Sequence, residues 1–205
     1  MLKRTILDPN ITNSTILLRD LLFSEIYPTF SLGRPIVILC IGTDRSTGES
    51  LGPLVGYKLV GLLGHKINLY GSLQYPVHAK NLNEVLININ NTYKDPFIIA
   101  IDACLGSIQN VGKLIIDKKP LKPGSAMEKE LPPVGDMSIT GVVNISGGME
   151  FILLQNTRLF TVMSLADSIS RGIYYCLLKI YNLNNKSDDF IFNSWLKKTA
   201  IYSIV

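Results

Sequence analysis

The fold of this chain is decided by the stretch Ile36-Val37-Ile38-Leu39-Cys40-Ile41-Gly42-Thr43-Asp44-Arg45-Ser46-Thr47-Gly48-Glu49-Ser50-Leu51-Gly52-Pro53. Its first six residues are apolar, a pattern typical of a central parallel strand that is buried on both faces. A polar loop bracketed by Gly42 and Gly48 follows, and then the start of a helix. Open α/β folds place their chemistry in loops at the carboxyl ends of such strands. We therefore expect this loop to carry the functional site.

The segments on either side of this stretch continue an alternation of strands and helices. A helix is predicted over residues 14–30, where Pro28 ends the apolar pattern, and a second over 51–63, where Gly64 is its stop. Further strands are predicted at 67–71, 96–102, 112–117 (an edge strand) and 139–145, and further helices at 80–92, 149–155 and 159–183. Strand, helix and strand in this order predict a parallel, doubly wound sheet.

The chain is predicted to form a single α/β domain over residues 1–205, because no linker rich in Ser, Gly or Pro divides it. Residues 1–30 are expected to form an N-terminal helical extension. Residues 187–205 are expected to form a tail that docks on the body or on a partner, which makes a homo-oligomer an expectation. Prolines and glycines predict a long irregular loop over 118–138.

Composition excludes several classes of protein. The formal charge of +4 comes from scattered Lys and Arg residues, so we expect no nucleic-acid partner. No signal peptide and no apolar run of about 20 residues is evident, so we expect no membrane partner and a soluble, cytoplasmic protein. The three cysteines lack the CxxC spacing and fit small buried thiols in a reducing compartment.

Two acidic side chains follow two predicted central strands, Glu49 in the loop after the first and Asp102 directly after residues 97–101. Neighbouring carboxylates do not both ionise easily, so one holds a proton near neutral pH while the other stays charged. Such a pair can deprotonate a water and protonate a leaving amine. The alternative is structural: Glu49 faces the positive N-terminus of the next helix, and Asp102 ends a strand.

Other kinds of site fit the sequence less well. No Lys-Ser or Lys-Thr pair follows Gly48, which excludes a Walker A phosphate loop. The histidines, His65 and His78, are predicted to lie away from the strand ends, so no Ser-His-Asp arrangement is evident. Cys104 has no histidine near it in sequence and is interpreted as a buried structural thiol.

Four ordered blocks over about residues 30–180 resemble the YyaC family of sporulation proteins. The blocks are Gly42 to Pro53, Ile101-Asp102-Ala103-Cys104-Leu105-Gly106, Pro133-Val134-Gly135-Asp136-Met137-Ser138-Ile139-Thr140-Gly141 and Leu154-Gln155-Asn156-Thr157-Arg158-Leu159. That family is similar to the germination protease that degrades small acid-soluble spore proteins, and more distantly to the hydrogenase maturation endopeptidases. The resemblance implies a three-layer αβα sandwich of the phosphorylase/hydrolase-like type, with a mostly parallel twisted sheet.

The resemblance also implies roles for particular residues. The two essential acids of the germination protease correspond to Glu49 and Asp102, although the spore families usually carry the shorter Asp at the first position. In the hydrogenase maturation enzymes, the equivalent Glu and Asp bind nickel together with a histidine. The segment Gly135-Asp136-Met137-Ser138, where that histidine is expected, contains none, so we expect no cofactor.

The first functional hypothesis is a spore-associated peptidase of the forespore or spore core, acting on protein or peptide substrates such as small acid-soluble spore proteins. Glu49 and Asp102 are its catalytic candidates, and the supporting or substrate-binding candidates are Asp44, Asp136, Ser138 and Thr140. A second hypothesis is a catalytically silent binding or regulatory module in sporulation. A third makes Glu49, Asp102 and Asp136 oxygen ligands of Mg²⁺, Mn²⁺ or Ca²⁺.

Overall fold

A six-stranded mixed sheet forms the centre of the structure, a computed structural model that describes residues 4–64, 67–123 and 132–184. Its strands are β1 (Thr5–Leu7), β2 (Ile36–Cys40), β3 (Asn68–Tyr70), β4 (Phe97–Gly106), β5 (Leu114–Asp117) and β6 (Met137–Ile145). They lie in the order β1-β5-β6-β4-β2-β3. Strands β6, β4, β2 and β3 run parallel, whereas β5 is antiparallel to both of its neighbours.

Helices cover both faces of the sheet. They are α1 (Ser14–Ser31), α2 (Leu51–Leu63), α3 (Leu82–Thr92), α4 (Glu150–Gln155) and α5 (Leu159–Asn184). Helices α1, α2 and α5 share one hydrophobic core with the first face of the sheet, and α3 forms a smaller core with the second face. This arrangement confirms the expected three-layer α/β fold with a mostly parallel sheet.

The alternation of side chains along β2 explains why the strand is apolar throughout. Ile36, Ile38 and Cys40 point into the core with α1, α2 and α5, while Val37 and Leu39 point towards α3. Successive side chains of a strand face opposite sides of the sheet, so a strand covered on both sides must be apolar at every position. Strand β2 is therefore an interior strand buried on both faces, as its sequence predicts, and it lies between β4 and the edge strand β3.

Strand β4 is longer than predicted. It continues past Asp102 to Gly106, and Ala103 pairs with Gly141 of the parallel strand β6. The prediction that the carboxylate ends the strand is wrong, because backbone pairing with β6 continues through a polar residue. Asp102 consequently lies within the strand, four residues before its end.

Two other boundaries also differ from the sequence prediction. Strand β5 is not an edge strand, because the N-terminal strand β1, which was not predicted, pairs with it. Pro28 lies inside α1 and does not end it. Proline removes one N–H bond to the carbonyl four residues earlier. Here that carbonyl belongs to the exposed Ser24, where water can replace the lost partner, and buried Phe30 anchors the last turn.

The N-terminal residues are an integral part of the fold. Leu18 and Leu22 of α1 are fully buried in the larger core, where α1 packs on α5. The predicted tail at 187–205 lies outside the described residues. None of the helices in the described part of the chain is long and apolar enough to cross a membrane.

Candidate functional site

The carboxyl ends of β2 and β4 meet where the chain changes direction across the sheet. From β2 the chain passes through α2 to β3 on one side, and from β3 it returns through α3 to β4 on the other side of β2. The two connecting helices lie on opposite faces of the sheet. Such a reversal of strand order opens a crevice at the carboxyl ends of the two strands, where open α/β folds bind their ligands.

The loop after β2 is closed on itself by its backbone. The N–H of Thr43 donates to the carbonyl of Glu49 at 3.1 Å. Gly42 has a φ of 143°, and a Cβ at this position would collide with the same Glu49 carbonyl. Glycine is therefore required here both for the conformation and for the close approach. The closed loop fixes Glu49 in the single 3₁₀ turn Gly48–Ser50 that precedes α2.

Helix α2 begins in direct contact with the end of β2. A Cβ at Gly52, in the first turn of the helix, would overlap the carbonyl oxygen of Ile41. Leu51, beside it, is fully buried in the larger core. Strand, loop and helix therefore form one tightly packed unit, which holds the partly buried Glu49 at the crevice.

Asp102 lies in β4, the strand adjacent to β2. Its Oδ1 accepts a hydrogen bond from the N–H of Ala103 at 2.8 Å. Burial raises the pKa of Asp102 to about 8; the Ala103 hydrogen bond opposes this shift, and the negative charge of Glu49 adds to it. Cys40, at the end of β2, pairs with Ile101, so the loop that carries Glu49 leaves β2 beside the position of Asp102.

This pair has the electrostatic properties of an acid–base couple. A pKa of about 8 keeps Asp102 protonated at neutral pH, so it can donate a proton. The charge on Glu49 contributes to that shift, which is the behaviour of two carboxylates in different environments. The arrangement can therefore supply one proton donor and one proton acceptor to a substrate in the crevice.

Ser138 and Thr140 lie on β6, beside β4. Thr140 pairs with Asp102 in the parallel ladder, and Ser138 pairs with Ala100. Both side chains are buried, at 9% and 7% exposure for Thr140 and Ser138. Asp44 is exposed on the loop after β2. The structure thus brings Thr140 next to the pair, with Ser138 two residues further from it along the strand.

Asp136 does not join this group. It precedes β6, and its Oδ2 accepts a hydrogen bond from the N–H of Ile98, near the start of β4, at 2.8 Å. Its Oδ1 lies 3.8 Å from the Arg34 guanidinium. Parallel strands begin at the same edge, so Asp136 lies at the opposite edge of the sheet from Glu49. The structure therefore places Asp136 apart from Glu49 and Asp102, and its carboxylate ties the start of β6 to that of β4.

The position of Asp136 also excludes a metal site formed by Glu49, Asp102 and Asp136, because Asp136 lies too far from Asp102 to bind the same metal ion. Ile98, to which Asp136 is bonded, is four positions before Asp102 on β4. Four positions correspond to about 13 Å at the rise of a strand. Among the residues that the structure describes, no group of three or more His, Cys, Asp or Glu side chains is arranged to hold a metal ion.

His78 lies closer to the site than its sequence position suggests. The preceding residue, Val77, forms a parallel bridge with Ile41, and its carbonyl accepts the N–H of Gly42 at 2.7 Å. The Nδ1 of His78 is buried with no hydrogen-bond partner in the described part of the chain. The prediction that His78 lies away from the strand ends is thus wrong. A single apolar residue in a turn-rich segment gives no pattern that would reveal such a bridge. His65 lies outside the described residues.

Cys104 behaves as the sequence analysis expected of a structural thiol. It lies on β4 two residues beyond Asp102, and burial raises its pKa to about 11. The hydroxyl of Thr140 forms a hydrogen bond with the sulfur, which partly offsets the effect of burial. A thiol of this kind stays protonated at neutral pH and is a poor nucleophile.

The fold defines an α/β protein with two acidic side chains, Glu49 and Asp102, at the switch point of its sheet. Residues 7–172 match the family described as "Protein of unknown function (DUF1256)". The chain belongs to this family.

Comparison with known proteins adds one relative and one structure. The chain is 52% identical over 141 residues to the uncharacterized protein YyaC of Bacillus subtilis (strain 168), a match that covers 69% of each chain. The resemblance to YyaC drawn from the four blocks is thus confirmed. A [NiFe] hydrogenase maturation protease, HycI from Thermococcus kodakarensis KOD1, is similar in structure with a TM-score of 0.48 and 17% identity, over 70% of this chain and 92% of that one.

Proposed function

We propose that this protein is a peptidase that hydrolyses amide bonds with Glu49 and Asp102. The observation that carries the proposal is the placement of Asp102 on β4, one residue past the end of β2, from which the loop that carries Glu49 departs. A catalytically silent binding module would have no need for a buried carboxyl beside a second acid. The arrangement of Glu49 and Asp102 therefore supports catalysis over that alternative. The resemblance of the blocks containing them to the germination protease supports the same chemistry.

The proposed reaction uses the two groups in opposite directions. Glu49 accepts a proton from water as the water oxygen attacks the carbonyl carbon of the substrate amide. Asp102 donates its proton to the amide nitrogen as the C–N bond breaks, which releases a carboxylic acid and an amine. The proton on Glu49 then passes to Asp102 and restores the starting state. General acid–base catalysis of this type contributes about 10²- to 10⁴-fold to a rate.

The setting proposed for this activity is the spore. The resemblance to sporulation proteins and to the germination protease supports a protein of the forespore or spore core, with small acid-soluble spore proteins as candidate substrates. We also propose that the chain self-associates through its apolar C-terminal residues. Neither the setting nor the substrate affects the assignment of Glu49 and Asp102.

The test is incubation of the purified full chain with candidate spore proteins and with a proteome-derived peptide library, followed by mass spectrometry of new termini. We expect cleavage by the wild type and its loss in Glu49→Gln and Asp102→Asn. The cleavage rate should fall above pH 8, because Asp102 loses the proton that it donates. Intact substrates across the pH range, or unchanged cutting by the double variant, would overturn the proposal.

A further inference from the structure

The second face of the sheet is covered by α3 on one half only. Leu82 and Ile89 of α3 share a core with Val37, Leu39 and Ile98 on β2 and β4. Further across the same face, residues of β5 and β6 line a cavity of about 460 Å³, among them Asp117 and Thr140. This volume lies within the range of sites that bind small molecules or parts of a peptide. We call this cavity the β5–β6 groove.

Positive charge predominates at the β5–β6 groove. Arg4, Lys119 and Lys122 are exposed side chains that line it, and among the described lining residues Asp117 is the one carboxylate. The positive charge of Arg4 lowers the pKa of the Cys104 thiol against the larger effect of burial. Arg4, which precedes β1, and Cys104 on β4 both line the groove, so the groove spans the strands between them. The groove therefore favours an anionic group.

The groove lies beside the carboxylate site. Cys104 and Thr140 line it, and Thr140 is paired with Asp102 across the β4–β6 ladder. Cys104 lies two residues beyond Asp102 on β4, and it lines the groove together with Arg4. A chain bound in the groove would therefore lead directly to Asp102.

We infer that the β5–β6 groove binds an acidic segment of the peptide substrate; the inference rests on the proposed function. Asp102 and Arg4 are three strands apart, in the order β4, β6, β5 and β1. Three strand spacings are about 15 Å, which an extended peptide spans with four or five residues. The acidic side chains are therefore expected four or five residues from the bond that is cut.

The carboxylates of the site favour a peptide over a nucleic acid. A single strand of nucleic acid carries a phosphate at each nucleotide, and some of these would lie against Glu49 and Asp102. A peptide has a neutral backbone and carries negative charge only at particular side chains. It can place those side chains at the basic rim and a neutral amide beside the two acids.

The experiment measures binding without cleavage, by fluorescence anisotropy on the full chain carrying Asp102→Asn. The probes are fluorescein-labelled decapeptides with an Asp-Glu-Asp triplet near either end, and matched peptides with Asn-Gln-Asn. We expect the acidic probes to bind about tenfold more tightly, from three exposed ion pairs. Raising NaCl to about 0.5 M should reduce the difference, because salt screens exposed charges.

Substitutions in the groove and outside it identify the binding site. We expect Arg4→Gln, Lys119→Gln and Lys122→Gln together to remove the acidic preference, and Lys119→Glu with Lys122→Glu to reverse it. The matched controls are Lys94→Gln, before the start of β4, and Arg171→Gln on α5; both residues are exposed, and the preference should be kept. Circular dichroism verifies that each variant is folded.

The outcomes separate this inference from the proposed function. Equal binding of acidic and amide probes, or a preference that survives the groove substitutions, would overturn the acidic-segment inference. A labelled oligo-dT that competes through the same three cations would also overturn it. Acidic preference in a protein that cuts nothing contradicts the proposed function and supports the groove. Cleavage that needs Glu49 and Asp102 but shows no acidic preference contradicts the groove alone.

Discussion

At the scale of single residues, the site depends on a carboxyl that the fold keeps protonated. Asp102 is held within β4 beside Glu49, and burial is the main cause of its raised pKa. Its position could be predicted from sequence because it follows the apolar run 97–101. Its environment could not, since that depends on β4 continuing to Gly106 and on Thr140 lying opposite.

The raised pKa makes Asp102 a source of pH-dependent instability. Between pH 4 and pH 8 the carboxyl ionises in the unfolded chain but keeps its proton in the folded one, so its contribution to stability falls as pH rises through this window. Asp102→Asn removes the titration and keeps an acceptor for the Ala103 N–H. We expect the variant to gain on the order of 2 kcal/mol over wild type at pH 8, after allowance for partial solvation, and almost nothing at pH 4.

Thermal melts of both proteins at intervals from pH 4 to pH 8 measure this difference. Asp44→Asn is the matched control, because Asp44 is an exposed carboxylate in the neighbouring loop. A melting temperature difference between Asp102→Asn and wild type that stays constant with pH would show that Asp102 titrates normally.

Glu49 is expected to contribute through its charge and its position. Glu49→Gln removes the proton acceptor while keeping the side-chain length, so kcat on a cleaved peptide should fall by about 10²-fold or more. Glu49→Asp keeps a carboxylate on a shorter stem and should retain more activity than Glu49→Gln. Steady-state kinetics on one peptide substrate provides the comparison.

Asp136→Asn serves as the control for that experiment. It changes an acid at the other edge of the sheet that pairs with Arg34, so it should lower stability while kcat/KM stays within about twofold. A loss of activity as large as that of Glu49→Gln would place Asp136 in the site and contradict the geometry described above.

At the scale of elements, the unit formed by β2, its loop and α2 determines the geometry of the site. Its sequence predicts the bounds of α2 well, because the helix begins at Leu51, carries Pro53 in its first turn, and ends before Gly64, whose φ is 61°. The close approach of Gly52 to Ile41 is a matter of tertiary packing, which no local pattern reveals. Ser138 and Thr140 alternate with apolar residues along β6, and this alternation was the available signal for the β5–β6 groove that they line.

Two glycines of α2 should respond oppositely to the same substitution. Gly52→Ala places a methyl group against the Ile41 carbonyl and should lower the free energy of unfolding by about 2–4 kcal/mol. Gly61→Ala, in the same helix, meets no atom within 4 Å and should raise it by about 0.5–1 kcal/mol. Urea denaturation of both variants tests the pair. A tolerated Gly52→Ala would mean that α2 does not contact β2 as described.

At the scale of the whole molecule, the N-terminal residues complete both the sheet and the larger core. The sequence predicted a helix over 14–30 that lies over the sheet as part of an N-terminal extension, but its pattern does not show which helix it packs against. In the structure α1 meets α5 closely at Gly172, where a Cβ would collide with the side chain of Leu18. Strand β1 has only three residues, too few for a strand pattern to be recognised.

Adjacent leucines of α1 offer a direct test of this packing. Leu18 is fully buried, whereas Leu17 is 46% exposed. Leu18→Ala should therefore lower the free energy of unfolding by about 2–5 kcal/mol, and Leu17→Ala should change it by no more than about 0.5 kcal/mol. Chemical denaturation of the full chain measures both. Equal effects of the two substitutions would contradict the docking of α1 on α5.

The proposed catalysis depends on the coupling of Glu49 and Asp102, and a carboxyl titration measures that coupling most directly. The chain is labelled with ¹³C at Asp and Glu side chains, and the Asp102 signal, assigned with Asp102→Asn, is followed by NMR from pH 3 to pH 10. We predict a pKa of about 8 in the wild type, and in Glu49→Gln a lower value that burial still holds above the ordinary value of about 4. An Asp102 that titrates near pH 4, or whose pKa is unchanged by Glu49→Gln, would contradict the proposed coupling of the two carboxyls.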